Sequence, residues 1–254
     1  MKRTSAPSPT RRTLALAAAG AMTLGLLPTA GATATDHVPP PRDTDRVCEA
    51  ADAYDNAYRD VSADTTHGRN ILCVSDHGIA EGYDDHTYRP GRRVLRQQMA
   101  SFIARMIELE RPLFDGDDEF DDVDPRSPHA RSIDALAESG IVDGRGDGTF
   151  GPQDPVRRDQ MASFIARALD YIDNGAIDGS APPAADDGPF FADVTTDNTH
   201  AAAINALTQQ AVVSGYGDGS YGPGDVVRRD QMASFIARAY DFVDEWFEQH
   251  PPEP

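Results

Sequence analysis

The sequence predicts an all-α protein of three tandem helix–loop–helix repeats, and three observations predict it. The first is self-similarity. Tyr58–Arg105, Phe120–Arg167 and Phe191–Arg238 are each 48 residues long and align without a gap, and the second and third share 28 identities. A period of this size marks units that cannot bury their apolar faces alone. The second is spacing: Met161, Phe164, Ile165, Ala168, Leu169 and Ile172 fall at i, i+3, i+4, i+7, i+8 and i+11, an amphipathic helical stripe. The third is punctuation, because glycines sit where one helix must stop and a tight loop must turn.

The elements follow in order within each repeat. An Asp-Val pair opens the frame (Asp60-Val61, Asp122-Val123, Asp193-Val194), and a His comes seven residues after each Asp: His67, His129 and His200. A short helix follows, marked in the second repeat by Ile133, Leu136 and Ala137 and ended at Gly140. Ile141-Val142 leads into the loop Gly144-Arg145-Gly146-Asp147-Gly148. The second helix begins with a hydrophobic staple, Val156 to Met161, repeated as Val94/Met99 and Val227/Met232. Gln98, Gln160 and Gln231 stand at N3, where a capping box wants Glu or Gln, but the N-cap is Leu95, Arg157 or Arg228, none of which can cap. Half a capping box is present. In the third repeat the stripe runs on through Val243 to Trp246 or Phe247 and stops before Pro251-Pro252.

The organisation expected is an export signal over 1–34, a spacer over 35–57, repeats over 58–111, 112–174 and 190–248, a linker over 175–189 and a tail over 249–254. Lys2, Arg3, Arg11 and Arg12 precede the short apolar run Leu14–Leu27 and two small-x-small sites, the three-part pattern of a signal peptide. Thr10-Arg11-Arg12-Thr13-Leu14 also resembles, loosely, a twin-arginine signal. The first part of the spacer, Asp36–Pro41, is expected to be disordered. Outside the cytoplasm disulfides persist, so Cys48 and Cys73 allow one bridge, stapling the N-terminal segment onto the first repeat; two reduced, buried thiols are the other reading.

Charge narrows the function. The 254 residues carry a formal −19, and without residues 1–34, which hold four bases and no acid, the rest stands at −23. Nucleic acid and anionic lipid both demand clustered Lys and Arg, so neither is an expected partner. No apolar run reaches the ~20 residues of a membrane span. With 39% hydrophobic residues the chain can still bury a core.

These residues carry a resemblance. The Asp-Val pair, the apolar helix ending near Gly-Ile, the loop Gly215-Tyr216-Gly217-Asp218-Gly219-Ser220-Tyr221-Gly222-Pro223 and the block Val-x-Arg-x-Gln-Met-Ala together resemble the S-layer homology (SLH) module in all three repeats. The resemblance implies a pseudo-threefold helical bundle, attachment to the bacterial surface, and non-covalent binding of a secondary cell-wall polymer or peptidoglycan-linked glycan, anionic and pyruvylated. A surface protein–protein or S-layer structural role, with another exported protein as partner, is the alternative. The family's Thr-Arg-Ala-Glu signature falls on Leu95–Gln98, Arg157–Gln160 and Arg228–Gln231; the Arg is kept, Gln replaces Glu, and the capping Thr is lost. The family's Trp near the first helix is Thr66, Pro128 or Thr199 here. The first repeat departs most, with Leu95 and Arg89 and without the loop glycines. The glycan-binding residues implied are Arg96, Arg158, Arg229, Gln98, Gln160, Gln231, Tyr83 and Tyr216.

The capping pattern supplies a physical rationale. Arg96, Arg158 and Arg229 sit at N1 of helices whose first N–H groups lack intrahelical partners, and without a competent N-cap those groups are expected to be free for a ketal carboxylate that Arg takes bidentately. In the competing reading each Arg pairs with Asp159, Asp230, Asp147 or Asp218 and only orders the structure. The three equivalent histidines admit a metal site, but packing or capping accounts for them better. Asp84-Asp85, Asp147 and Asp218 read as turn chemistry, since their spacing lacks the oxygens of an EF-hand. No nucleophile–base pair or nucleotide fingerprint is present, so neither catalysis, cofactor nor metal is expected.

Overall fold

The computed structural model describes residues 38–44, 46–48, 57–109, 119–174 and 189–249. The expected export segment, most of the 175–189 linker and the end of the tail lie outside the described residues. Among the described residues there are six helices and no strand: α1 (Gly68–Asp76), α2 (Arg96–Met106), α3 (Ala130–Glu138), α4 (Arg158–Asn174), α5 (Ala201–Gln209) and α6 (Arg229–Gln249). The protein is all-α. Each repeat contributes one nine-residue helix and one longer helix, and α6 is the longest, as its extended stripe requires.

The short helices end alike. In α3 the N–H of Gly140 bonds to the Ala137 carbonyl and that of Ile141 to the Leu136 carbonyl, which is a Schellman motif. It requires a left-handed residue, supplied by Gly78 and Gly140 in the first two repeats and by Ala211, at φ 60°, in the third.

The longer helices begin around a shared knot of backbone. The Val94 N–H donates to the Val227 carbonyl, Val227 to Val156, and Val156 back to Val94, at 3.0, 2.9 and 2.9 Å. All three valines are fully buried, as are the methionines predicted to staple against them. Helices α2, α4 and α6 touch pairwise, while α3 packs on α2, α5 on α4 and α1 on α6. Each repeat's short helix thus lies against the long helix of the preceding repeat, and the first repeat lies against the last. One continuous core results.

The opening Asp of each repeat has a structural task. Asp60 accepts the N–H groups of Tyr88 and Arg89, Asp122 those of Phe150 and Gly151, and Asp193 those of Tyr221 and Gly222, all at 2.7–2.9 Å. Each carboxylate clamps the far end of its own loop, 28 residues on, and Tyr58, Phe120 and Phe191 rest their rings on Tyr88, Phe150 and Tyr221 at 5.3–5.5 Å.

Of the stretch expected to be disordered, Asp36 and His37 lie outside the described residues, and the described part from Val38 onward is held against the repeats. Val38 and Val47 pack on the core. Arg42 donates its N–H to the Ala211 carbonyl and pairs with Asp241 and Glu245, and Arg46 pairs with Asp241, Asp244 and Glu248. Cys48 and Cys73 form a disulfide. This strap runs from α6 of the last repeat to α1 of the first, and acidic α6 is why two arginines hold it.

Candidate functional site

The three N1 arginines do not point into water. Arg96, Arg158 and Arg229 are only 8, 2 and 2% exposed, and each reaches into the loop of the next repeat. Arg96 Nε donates to the Phe150 carbonyl at 2.8 Å and Nη2 to that of Asp143 at 3.3 Å. Arg158 does the same with Tyr221 and Ser214 at 2.7 and 2.9 Å. Arg229 closes the cycle onto Tyr88 and Glu81, both at 2.9 Å. Aromatic rings flank every guanidinium: Phe150 and Phe164 around Arg96, Tyr216, Tyr221 and Phe235 around Arg158, and Tyr83, Tyr88 and Phe102 around Arg229, with centroids 4.3–5.7 Å away.

Two sequence expectations are corrected here. The N-terminal N–H groups are not free: the N1 groups bond to the carbonyls of Asp154, Asp225 and Arg92, and the N2 groups to those of Pro152, Pro223 and Pro90. Cross-repeat loops supply what the missing Thr would have supplied. Nor do the arginines pair with the nearby aspartates. Asp159 and Asp230 hold Arg157 and Arg228 instead, while Asp147 and Asp218 close turns on Thr149 and Ser220. Among the described residues no carboxylate lies within ion-pair distance of the three buried guanidiniums, and Nη1 of each has no hydrogen-bond partner. Burial also holds the Arg96 pKa below its ordinary value. A desolvated cation without a counter-charge is expensive, and ring faces with carbonyl dipoles offset only part of that.

The glutamines complete the half box as expected. Gln98, Gln160 and Gln231 accept the N-cap N–H through Oε1 at 3.2, 3.1 and 3.2 Å, which leaves the amide NH₂ for other partners; that of Gln231 reaches Tyr216. Gln160 and Arg96 line the same cavity of about 670 Å³, together with Arg145, Arg157, Arg167 and His200. Three of these arginines are already neutralised, Arg145 by Asp154, Arg157 by Asp159 and Arg167 by Asp143. Only Arg96 is not. At the equivalent place in the third repeat Tyr216 is 37% exposed, donates its hydroxyl to Asp225 and is reached by the Gln231 side chain. Tyr83 is half-buried beneath arginines.

The histidines mark the seams. His129 Nδ1 shares a hydrogen bond with Ser101 at 2.8 Å, His200 with Ser163 at 2.7 Å, and His67 with Ser234 at 2.8 Å, each a contact between neighbouring repeats. Burial lowers the pKa of all three. They occupy three different interfaces, and no cluster of metal-ligating side chains occurs among the described residues.

Sequence reasoning singled out the arginines and glutamines but missed the Asp clamp and the seam His–Ser pairs. Both were signalled by identity in every copy. The S-layer homology domain matches residues 57–100, 119–162 and 190–233, just over half the chain. The chain belongs to that family. It is also similar to a cell surface protein of Thermoanaerobacter kivui, 32% identical over 125 residues that make up 49% of this chain and 16% of that protein. The S-layer protein sap of Bacillus anthracis is 28% identical over 73% of this chain and 21% of its own length. Exoglucanase XynX of Acetivibrio thermocellus is 23% identical over 73% of this chain and 16% of its own. The SLH chain thus spans about a fifth or less of these relatives.

Proposed function

We propose that this SLH chain is an exported, non-catalytic module that attaches to the bacterial surface by binding an anionic cell-wall glycan. The supporting observation is the three buried guanidiniums that keep an unused Nη1 donor and have no carboxylate among the described residues. A pyruvyl ketal carboxylate is the counter-ion such a place accepts: it brings charge, two acceptor oxygens and a small apolar body. The amide NH₂ of Gln98 and Gln160 and the exposed ring of Tyr216 add donors and a stacking face for the sugar. Surface attachment accords with the family match and with relatives named as cell surface and S-layer proteins. The exoglucanase relative extends well beyond the aligned residues, so its printed activity is not carried over.

The test is retention on purified sacculi, before and after the secondary polymer is stripped with acid, with a pyruvylated disaccharide as competitor. Retention lost on stripping and reversed by the disaccharide supports the reading; undiminished retention on stripped sacculi overturns it. A protein–protein role is the second reading, favoured by Phe247, which is exposed and carries Trp246 edge-on at 5.1 Å near the end of α6. It predicts retention that ignores stripping and falls on Phe247→Ser.

A further inference from the structure

The three inter-repeat sites share one design, but their outer walls differ at two positions. The first is 83/145/216, occupied by Tyr83, Arg145 and Tyr216. The second is 89/151/222, occupied by Arg89, Gly151 and Gly222. All three residues at the second position have positive φ, 59°, 74° and 68°. Glycine takes that conformation freely, whereas an arginine there is strained.

Glycine also makes room. A Cβ on Gly222 would stand 2.7 Å from the Tyr216 ring, and one on Gly151 would stand 2.5 Å from the Arg145 guanidinium. In the second and third repeats the residue at 145 or 216 therefore lies across a bare glycine. In the first repeat that space holds the Arg89 side chain, whose guanidinium stacks on Tyr83 only 3.9 Å from the ring centroid. It is fixed there by an ion pair to Asp85 at 3.0 Å and by Nε donation to Thr87 at 3.2 Å. Arg229 lies 5.2 Å from the same ring and Arg92 6.0 Å. Tyr216, by contrast, has Arg158 against it at 4.7 Å and stays exposed.

Strain, ion pairing and stacking thus converge on one side chain. The geometry points to Arg89 as an internal occupant of the first site: it covers the Tyr83 ring face that a sugar would use, so that ligand is taken at two of the three sites. Its charge offers no compensation to an anion, because Asp85 already neutralises it. The first site also lacks the Arg157 and Arg228 equivalent, having Leu95. A cavity of about 670 Å³ borders the second site, around Arg96 and Arg145. The inference rests on the glycan reading above.

The experiment is calorimetric titration of the whole folded chain with a pyruvylated disaccharide, paired with ¹⁹F NMR of the protein carrying fluorotyrosine at position 83 or 216. Wild type should bind two equivalents, with the position-216 resonance shifting and the position-83 resonance still. Arg89→Gly, which relieves the backbone strain and uncovers the ring, should bind three, and the position-83 resonance should then shift as well. Adding Tyr83→Ala should weaken the third equivalent. Three equivalents in wild type, or two in a folded Arg89→Gly protein, would overturn the role of Arg89 and leave glycan binding standing. No saturable binding by wild type or either variant would overturn the glycan reading itself.

Discussion

Truncating Arg158 to alanine removes a side chain that joins the second repeat to the third. Its Nε bond to the Tyr221 carbonyl, at 2.7 Å, is buried, and its Nη2 bond to the Ser214 carbonyl, at 2.9 Å, is partly buried. Charge-assisted bonds of this kind contribute about 1.5–3 kcal/mol each. Contacts with the Tyr216, Tyr221 and Phe235 rings add roughly 0.5–1 kcal/mol apiece. Against this stands relief from burying an uncompensated cation, worth several kcal/mol by the usual desolvation argument. The balance is a loss of about 3 kcal/mol, which for a domain of this size lowers Tm by roughly 6–12 °C. Urea denaturation followed by circular dichroism at the helix band measures it directly. Arg158→Lys keeps the charge but not the fork, so it should fall between wild type and alanine. A loss below about 1 kcal/mol for Arg158→Ala would refute the reasoning, because the guanidinium would then contribute nothing net to the seam. The result also bears on ligand assays, since reduced glycan retention by this variant means little unless its folding is measured alongside.

Three further outcomes are expected. Ala211→Gly should stabilise the protein by about 0.5–1 kcal/mol, because the φ of 60° is strained for alanine and glycine fills that position in both other repeats; a lower urea midpoint would count against it. Stability should fall as pH drops from about 8 to about 5.5. Burial depresses the pKa of His67, His129 and His200 below 6.5, so the unfolded chain binds more protons in that window and stability rises with pH. The depressed carboxylates Asp85, Asp147, Asp197, Asp218 and Glu245 titrate lower, from their ordinary values near 4 downward, so a flat profile between pH 8 and 5.5 would contradict the histidine argument. Finally, retention on sacculi should hold steady or rise from low to moderate salt, since screening relieves repulsion between a −19 chain and an anionic polymer more than it weakens a buried contact; a steep decline would indicate an exposed basic patch instead.

Much of this architecture is written in local spacing. The stripe from Met161 to Ile172 became α4, Gly140 ended α3, and Gln98, Gln160 and Gln231 bonded back to their N-caps as a half capping box does. These features involve residues a few positions apart, where helical geometry decides who meets whom. What escaped sequence reasoning was every partnership between repeats. Arg229 and Tyr88 are 141 positions apart, and nothing near Arg229 says that a loop carbonyl will take its Nε. The free helix starts were expected on the same local logic and failed because Pro90, Pro152 and Pro223 carbonyls arrive from elsewhere. Composition alone does not reveal that Val38 packs on the core or that the Arg42 and Arg46 that follow find the acidic face of α6. Positive φ at His86, Arg89 and Ala211 was equally hidden, since these residues ordinarily avoid it.

The cycle of seams sets this chain apart from linear repeat arrays. In an open solenoid the end units have one neighbour, need polar caps, and can be trimmed with a graded loss of stability. Here α1 on α6, the valine knot and the strap from Cys48 to Glu248 give the first and last repeats two neighbours each. No repeat is terminal, so removing any one exposes two apolar seams at once instead of shortening a row. Unfolding should therefore be all-or-none across the three repeats. The number of units is likewise fixed by closure: a fourth copy would have to open the ring before it could join it.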